Sequence, residues 1–368
     1  MKKVIHIHSD IKFILDNERY LGDFFDNELI ILDTKNSVNK EYHYKALFFE
    51  PSPENLNKIV AIVNTVDILV LYNLDFFKSQ IVNCVDKRVK IIWRFFGTEL
   101  YTRKLHLYLS PKSKPFMISK LIKGKIKYFF RFFFGKERMF YKAVRRSDII
   151  TGIFEEEYEY LKQHFSYLPK FIPLSLDNQI HCKKIDFDSE YPKKNCLVIG
   201  NSRSYYNNHL DILELAGTCN QHKKINITLL FNYGAEQAYT NEVRRKAAVL
   251  PQVDLIESFI PFNEFISFYG QIAAVVINSY RQLALGNIFL AFYKGVKVYL
   301  NKNNPTYLWL KKEGMFIYEV EDLKNDLETG QIYLAKKEIL HNLNCMKNLE
   351  DSKTTLNFQS QIIQVLDK

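Results

Sequence analysis

Short apolar runs at residues 4–7, 29–32, 46–49, 68–72, 89–93 and 149–153 read as buried strands. Helix-period stretches lie between several of them, for example at 53–64. Such alternation predicts a mostly parallel sheet covered by helices. Residues 166–194 carry Pro169, Pro173, Pro192 and mixed charges without a clean period, so they are expected to connect two domains. A second alternation begins at Cys196. Strands are predicted at 196–199, 225–231, 253–257, 273–277 and 296–300, and helices at 208–219, 236–248, 261–269 and 287–294. A last amphipathic helix is predicted at 355–366. The expectation is an α/β chain of two Rossmann-like domains facing a cleft, with ligands at the carboxyl ends of the strands. Residues 1–165 form the first domain, 166–194 the linker, 195–345 the second, and 346–368 a helix packing back.

Composition agrees with that division, since 368 residues suit two domains of about 150 residues each. Charge changes the picture more. Residues 111–146 hold twelve Lys/Arg and one acid, Glu137, a surplus of eleven in a chain whose net charge is +10. The rest is therefore nearly neutral, and the basicity belongs to one segment. That segment also carries Tyr128, Phe129, Phe130, Phe132, Phe133, Phe134, Phe140 and Tyr141. Cations among aromatics suit a membrane face or a nucleic acid. Phe140 and Tyr141 are the first of these aromatics expected in the core. No stretch reaches about eighteen apolar residues, so the chain is expected to lie on a bilayer and not to span it. The opening residues read as a first strand and not a signal peptide. The five cysteines form no CxxC pair, which predicts reduced thiols in a cytosolic compartment and no zinc site.

Two loops between a strand and a helix could hold phosphates. In the first, Gly200, Asn201, Ser202, Arg203, Asn208 and His209 combine a tight turn, helix-capping side chains and charge. An ordinary capped loop would contain the same residues. In the second, Arg281 is placed to meet a diphosphate, with Gln282, Gly286 and Asn287 at the following helix start; a solvent-exposed arginine is the alternative. Between them, Tyr233 and Gly234 end a strand, where the ring could stack on a ligand or simply pack. Neither GxxxxGK[ST] nor GxGxxG occurs. Glu99 and Asp10 follow strands of the first domain, and either could serve as general base or as a helix cap. His6 and His8 alternate on the first strand, so at most one is expected to face the cleft. Asp186-Phe187-Asp188 matches a metal-binding DxD formally, but no strand leads into it.

The segments 200–209 (GNSRSYYNNH), 232–243 (NYGAEQAYTNEV), 259–269, 281–286 and 300–305 (LNKNNP) resemble the Fuc4NAc transferases of glycosyltransferase family 56. Residues 96–101 look like that family's W-G-G-D-L-Y element, and 4–10 like its first strand. The resemblance covers most of the chain and is densest from 196 to 310. It implies a GT-B fold and transfer of 4-acetamido-4,6-dideoxygalactose from dTDP to a glycan on undecaprenyl diphosphate, at the cytoplasmic face of the inner membrane. It also implies a nucleotide in the C-terminal domain, an acceptor in the N-terminal one, and no metal or cofactor. Two departures stand out: Phe96-Gly97-Thr98-Glu99 replaces Gly-Gly-Asp, and Gln282-Leu283-Ala284-Leu285-Gly286 replaces Gln-Gln-Gly-Ile-Gly. These leave open a different nucleotide sugar, such as a UDP-sugar. Within this reading Lys120, Lys123, Lys127, Phe130, Arg131, Phe133 and Phe134 are expected to dock on anionic lipid, with no nucleic acid partner. A non-catalytic polyanion-binding scaffold is the alternative from another class.

Overall fold

The computed structural model describes residues 1–9, 22, 25–32, 45–174, 193–219, 225–349 and 353–366. The chain divides into two compact units: Met1–Arg103, Gly124–Gln179 and Glu350–Lys368 form the first, Lys104–Lys123 and Ile180–Leu349 the second.

The first unit contains β1 (Lys2–His8), β2 (Phe25–Leu32), β3 (Ala46–Phe49), β4 (Ile68–Tyr72), β5 (Lys90–Arg94), β6 (Ile149–Gly152) and β7 (Lys170–Pro173). They form one parallel sheet in the order β3-β2-β1-β4-β5-β6-β7. All five residues of β4 are buried, which is why its sequence is an unbroken apolar run. β7 falls within the stretch expected to be a connection. It is an edge strand with one buried residue of four, so it lacked an apolar signal, and its closing Pro173 is tolerated at an edge. Strand order reverses between β1 and β4, which opens a crevice at their carboxyl ends. The helix Lys353–Leu366 does pack back, burying Phe358 and Ile362 against Val4, Ile68, Val70, Ile92 and Ile149.

The second unit contains β8 (Cys196–Ile199), β9 (Asn226–Leu230), β10 (Val253–Ile256), β11 (Ala274–Ile277), β12 (Lys297–Leu300) and β13 (Tyr318–Glu319). Their order is β10-β9-β8-β11-β12-β13, again parallel, with the reversal between β8 and β11. Residues 104–123 belong here although they precede β6 in sequence. Leu109 and Met117 are buried in this unit's core, and the Ser110 N–H donates to Asn208 Oδ1 at 2.8 Å.

The basic segment forms two helices, Ile118–Phe133 and Lys136–Arg146, joined at Gly135 (φ 75°). The second is anchored by its single acid: Glu137 is fully buried and paired with Arg103 at 2.9 Å and Arg131 at 3.1 Å. Phe140 is core, as expected, and Tyr141 is half-buried. The first helix buries no residue. Ile118, Ile122, Ile126, Phe129, Phe130 and Phe133 recur at helical spacing and are each more than half exposed. Among the described residues no helix is long and apolar enough to cross a membrane.

Candidate active site

At the reversal in the second sheet, three asparagines tie the strand ends together. The Gly200 N–H crosses from β8 to Val276 O on β11 at 2.9 Å. Asn208, in the left-handed region at φ 47°, donates from Nδ2 to Asn278 O at 3.0 Å and to Tyr108 O at 3.3 Å. Asn301, after β12, donates to Asn278 Oδ1 at 2.8 Å. Asn278 went unnoticed in the sequence although it directly follows a strand, and Asn301 entered only as part of the 300–305 segment. Asn208 is thus a fully buried tie whose amide hydrogen-bonds within the protein.

The other members of the first loop are also engaged internally. His209 is buried, with Nδ1 at 3.0 Å from the Tyr239 hydroxyl, and burial pulls its pKa down to about 3. It is neutral at physiological pH and brings no charge to a phosphate. Its backbone N–H already donates to the Tyr239 hydroxyl at 2.8 Å, so the start of the helix His209–Cys219 is capped from within. Arg203 donates to Phe231 O at 2.9 Å and is ion-paired with Glu236. Asn201 Nδ2 donates to the Tyr233 hydroxyl at 2.8 Å, and Ser202 is buried. Gly234 (φ 117°) lies against the Arg203 side chain, where a Cβ would fall 2.8 Å from Cγ. The β8 and β9 loops therefore brace one another.

The second loop is built differently. Ala284 sits at φ 59° as the residue before the helix Leu285–Tyr293, and it provides no side-chain cap. Ala284 thus supplies no capping oxygen to the first-turn amides of that helix, which favours an anion there. Arg281, half-buried, lies 4.4 Å over the Tyr206 ring, with Gln282 half-buried beside it. Asn287 is fixed by donating to the buried Tyr269 hydroxyl at 2.9 Å. A Cβ on Gly286 would meet nothing within 4 Å.

Two glycines here should answer substitution oppositely. A Cβ on Gly200 (φ 69°) would fall 2.8 Å from His209 Nε2 and 3.2 Å from Asn207 Cγ. Gly200 is required by this packing, a nearer cause than backbone approach to a ligand. Gly200→Ala is expected to cost about 1–3 kcal/mol of stability. Gly286→Val should leave the melting temperature within about 2 °C and raise the donor KM at least about fivefold, since it fills open space at the helix start. Melting curves and donor titrations of both variants check the pair.

In the first unit, Gly97 (φ 88°) turns the chain into the short helix Thr98–Tyr101. Glu99 on that helix is 4% exposed, and its Oε1 accepts from the Leu74 N–H at 3.0 Å and the Trp93 indole at 3.1 Å. It therefore bolts the ends of β4 and β5 together, and Oε2, 3.3 Å from the Thr98 hydroxyl, is its other acceptor. Lys78 escaped notice in the sequence. It is fully buried and donates to Ser9 Oγ at 2.7 Å, Tyr72 O at 2.8 Å and Asn73 Oδ1 at 2.7 Å, and burial lowers its pKa. It closes the crevice between β1 and β4. Its signal was a lone lysine in the first turn of an apolar helix. Asp10, and the pair Asp186 and Asp188, lie outside the described residues.

The expectation for the histidines needs correcting, because residues two apart on a strand share a face. Both rings pack against Tyr72, His8 stacked at 3.8 Å and His6 tilted at 6.1 Å. His6 is also 2.9 Å from Asn27 Oδ1, and burial lowers its pKa to about 4.

Of the residues expected on a membrane face, Lys123, Lys127, Phe130, Phe133 and Phe134 are exposed. Lys120 is exposed as well, where it donates to Gln237 Oε1 at 2.5 Å and lies 4.9 Å over Tyr205; Arg131 is drawn inward by Glu137. Among the described residues no group of three His, Cys, Asp or Glu gathers as a metal site.

Known structures share this architecture. HepE of Anabaena, solved with UDP and glucose, matches with a TM-score of 0.64 at 12% identity over 100% of both chains. Sucrose-phosphate synthase from Thermosynechococcus elongatus matches at 0.66 and 10% identity over 100% of both chains. A glycosyltransferase from Rickettsia africae matches at 0.65 and 12% identity, over 100% of this chain and 99% of that one. The chain thus has the GT-B fold of nucleotide-sugar glycosyltransferases. Residues 118–344 match the model for 4-alpha-L-fucosyltransferase, glycosyl transferase group 56, and the chain belongs to that family. It is a glycosyltransferase that uses a nucleotide sugar. No curated protein matches the chain.

Proposed function

We propose that the protein transfers a Fuc4NAc-like deoxy-amino sugar from dTDP to a glycan on undecaprenyl diphosphate during bacterial surface polysaccharide synthesis. The observation that carries this reading is the uncapped start of the helix Leu285–Tyr293 with Arg281 beside it, at the strand reversal of the second sheet. A departing diphosphate develops charge in the transition state, and amides with a guanidinium fixed in advance stabilise it there. Gln282, Gly286 and Asn287 line the donor side, with Asn201, Ser202, Tyr233 and Gly234 across from them. Gly200, Asn208 and His209 hold the floor, and Arg203 braces it. The first unit takes the acceptor, with Glu99 or Asp10 accepting the proton of the attacking hydroxyl.

Lipid-linked acceptors lie at a bilayer. The exposed apolar stripe of the helix Ile118–Phe133, flanked by Lys123, Lys125 and Lys127, supports peripheral docking on the inner membrane's cytoplasmic face. The Leu283-Ala284-Leu285 departure leaves the donor sugar open, and the second reading is the same fold and reaction type with another nucleotide sugar, such as a UDP-linked one. Thermal unfolding against a panel of dTDP- and UDP-sugars separates the two. At about 100 times Kd a bound donor adds about 2.7 kcal/mol to native stability. Stabilisation by UDP-sugars alone would move the assignment to the second reading.

A further inference from the structure

A cavity of about 470 Å³ opens beside the aromatic helix, within the first unit. Arg138, Lys142 and Arg145 line it, one above another at i, i+4 and i+7 of the helix Lys136–Arg146. Among the described residues none of the three has a carboxylate partner; Arg138 makes only a cation–π contact, 5.5 Å over Phe132. Glu137, the helix's one acid, faces inward to Arg103 and Arg131. Like charges at this spacing destabilise a helix, and Arg138 stands in its first turn, where the helix dipole also disfavours a cation. Three aligned, uncompensated cations around an open cavity are the arrangement of an anion site. Phe132, Tyr141, His164 and Ser166 complete its lining. Phe132 is continuous with the exposed Phe130, Phe133 and Phe134, so the cations adjoin an apolar surface that a soluble anion would not use.

We propose that this cavity binds the phosphate of a phospholipid headgroup, with the acyl chains beside the exposed phenylalanines. Binding to the bilayer is then local and saturable. The inference rests on the membrane reading above and adds a specific site to it.

Co-flotation of the full chain with phosphatidylcholine vesicles containing phosphatidylglycerol tests it, using two variants of equal charge. Ser166→Glu places a carboxylate among the three cations. Gln163→Glu places one three residues away, on exposed surface outside the lining. Ser166→Glu is expected to weaken vesicle binding about tenfold, and Gln163→Glu by less than about twofold. Equal weakening by both would mean diffuse attraction and would overturn the cavity. So would undiminished binding by Ser166→Glu while Phe129→Ser/Phe133→Ser abolishes it, although the membrane reading would then survive. Wild-type protein that floats with no vesicle would end both. Inorganic pyrophosphate at matched ionic strength should compete only weakly; full release by it would assign the cavity to a soluble phosphate instead.

Discussion

Arg281→Ala is expected to lower kcat by about 10²–10³ while leaving the melting temperature almost unchanged. Arg281 is half-buried over the Tyr206 ring, and its proposed role falls on the transition state. Charge on the leaving diphosphate rises as the glycosidic bond breaks. A residue acting there lowers kcat more than it raises KM. Arg281→Lys keeps the charge but loses the planar pair of donors, and should recover only part of the rate. Steady-state kinetics at saturating acceptor distinguish these cases. Wild-type turnover by Arg281→Ala would remove it from the site.

Glu99→Gln is expected to cost about 10²–10⁴ in kcat if the carboxylate takes the acceptor's proton. The amide oxygen can still accept from the Leu74 N–H and the Trp93 indole, so the fold should persist. Glu99→Ala removes that acceptor and leaves two buried donors unpaired, each costing about 1–3 kcal/mol. A glutamine variant that melts like wild type and does not turn over identifies a base. One that melts and turns over like wild type identifies a structural bolt and shifts the assignment to Asp10. The alanine variant alone would confuse the two.

The fold was legible because both sheets bury their strands on two faces, which writes β4 and β8 as plain apolar runs. Elements without that signature were missed. β7 has one buried residue, and β13 has two residues paired only with β12. The contribution of residues 104–123 to the second unit depends on long-range contacts such as Ser110 to Asn208, which no local period records. At the site, both loops were found from their glycines and polar side chains. Their difference was not, because it lies in partners distant in sequence. Tyr239 caps the first helix, and the second has no side-chain cap from its N-cap residue Ala284. His209 and Asn208 read as ligand groups in the sequence, but Tyr239 takes His209 Nδ1, and Tyr108 and Asn278 take the Asn208 amide. The basic segment was legible as a whole, but Arg131 turns inward because Glu137 does.

We propose that this GT-B glycosyltransferase moves a deoxy-amino sugar from dTDP to a lipid-linked glycan. The most direct measurement is transfer from a panel of nucleotide sugars to a synthetic polyprenyl-diphosphate glycan, with product followed by mass. Addition of a single 4-acetamido-4,6-dideoxyhexose from the dTDP donor is expected, lost in Arg281→Ala. Transfer from UDP-sugars alone, or an Arg281→Ala product at the wild-type rate, would contradict it.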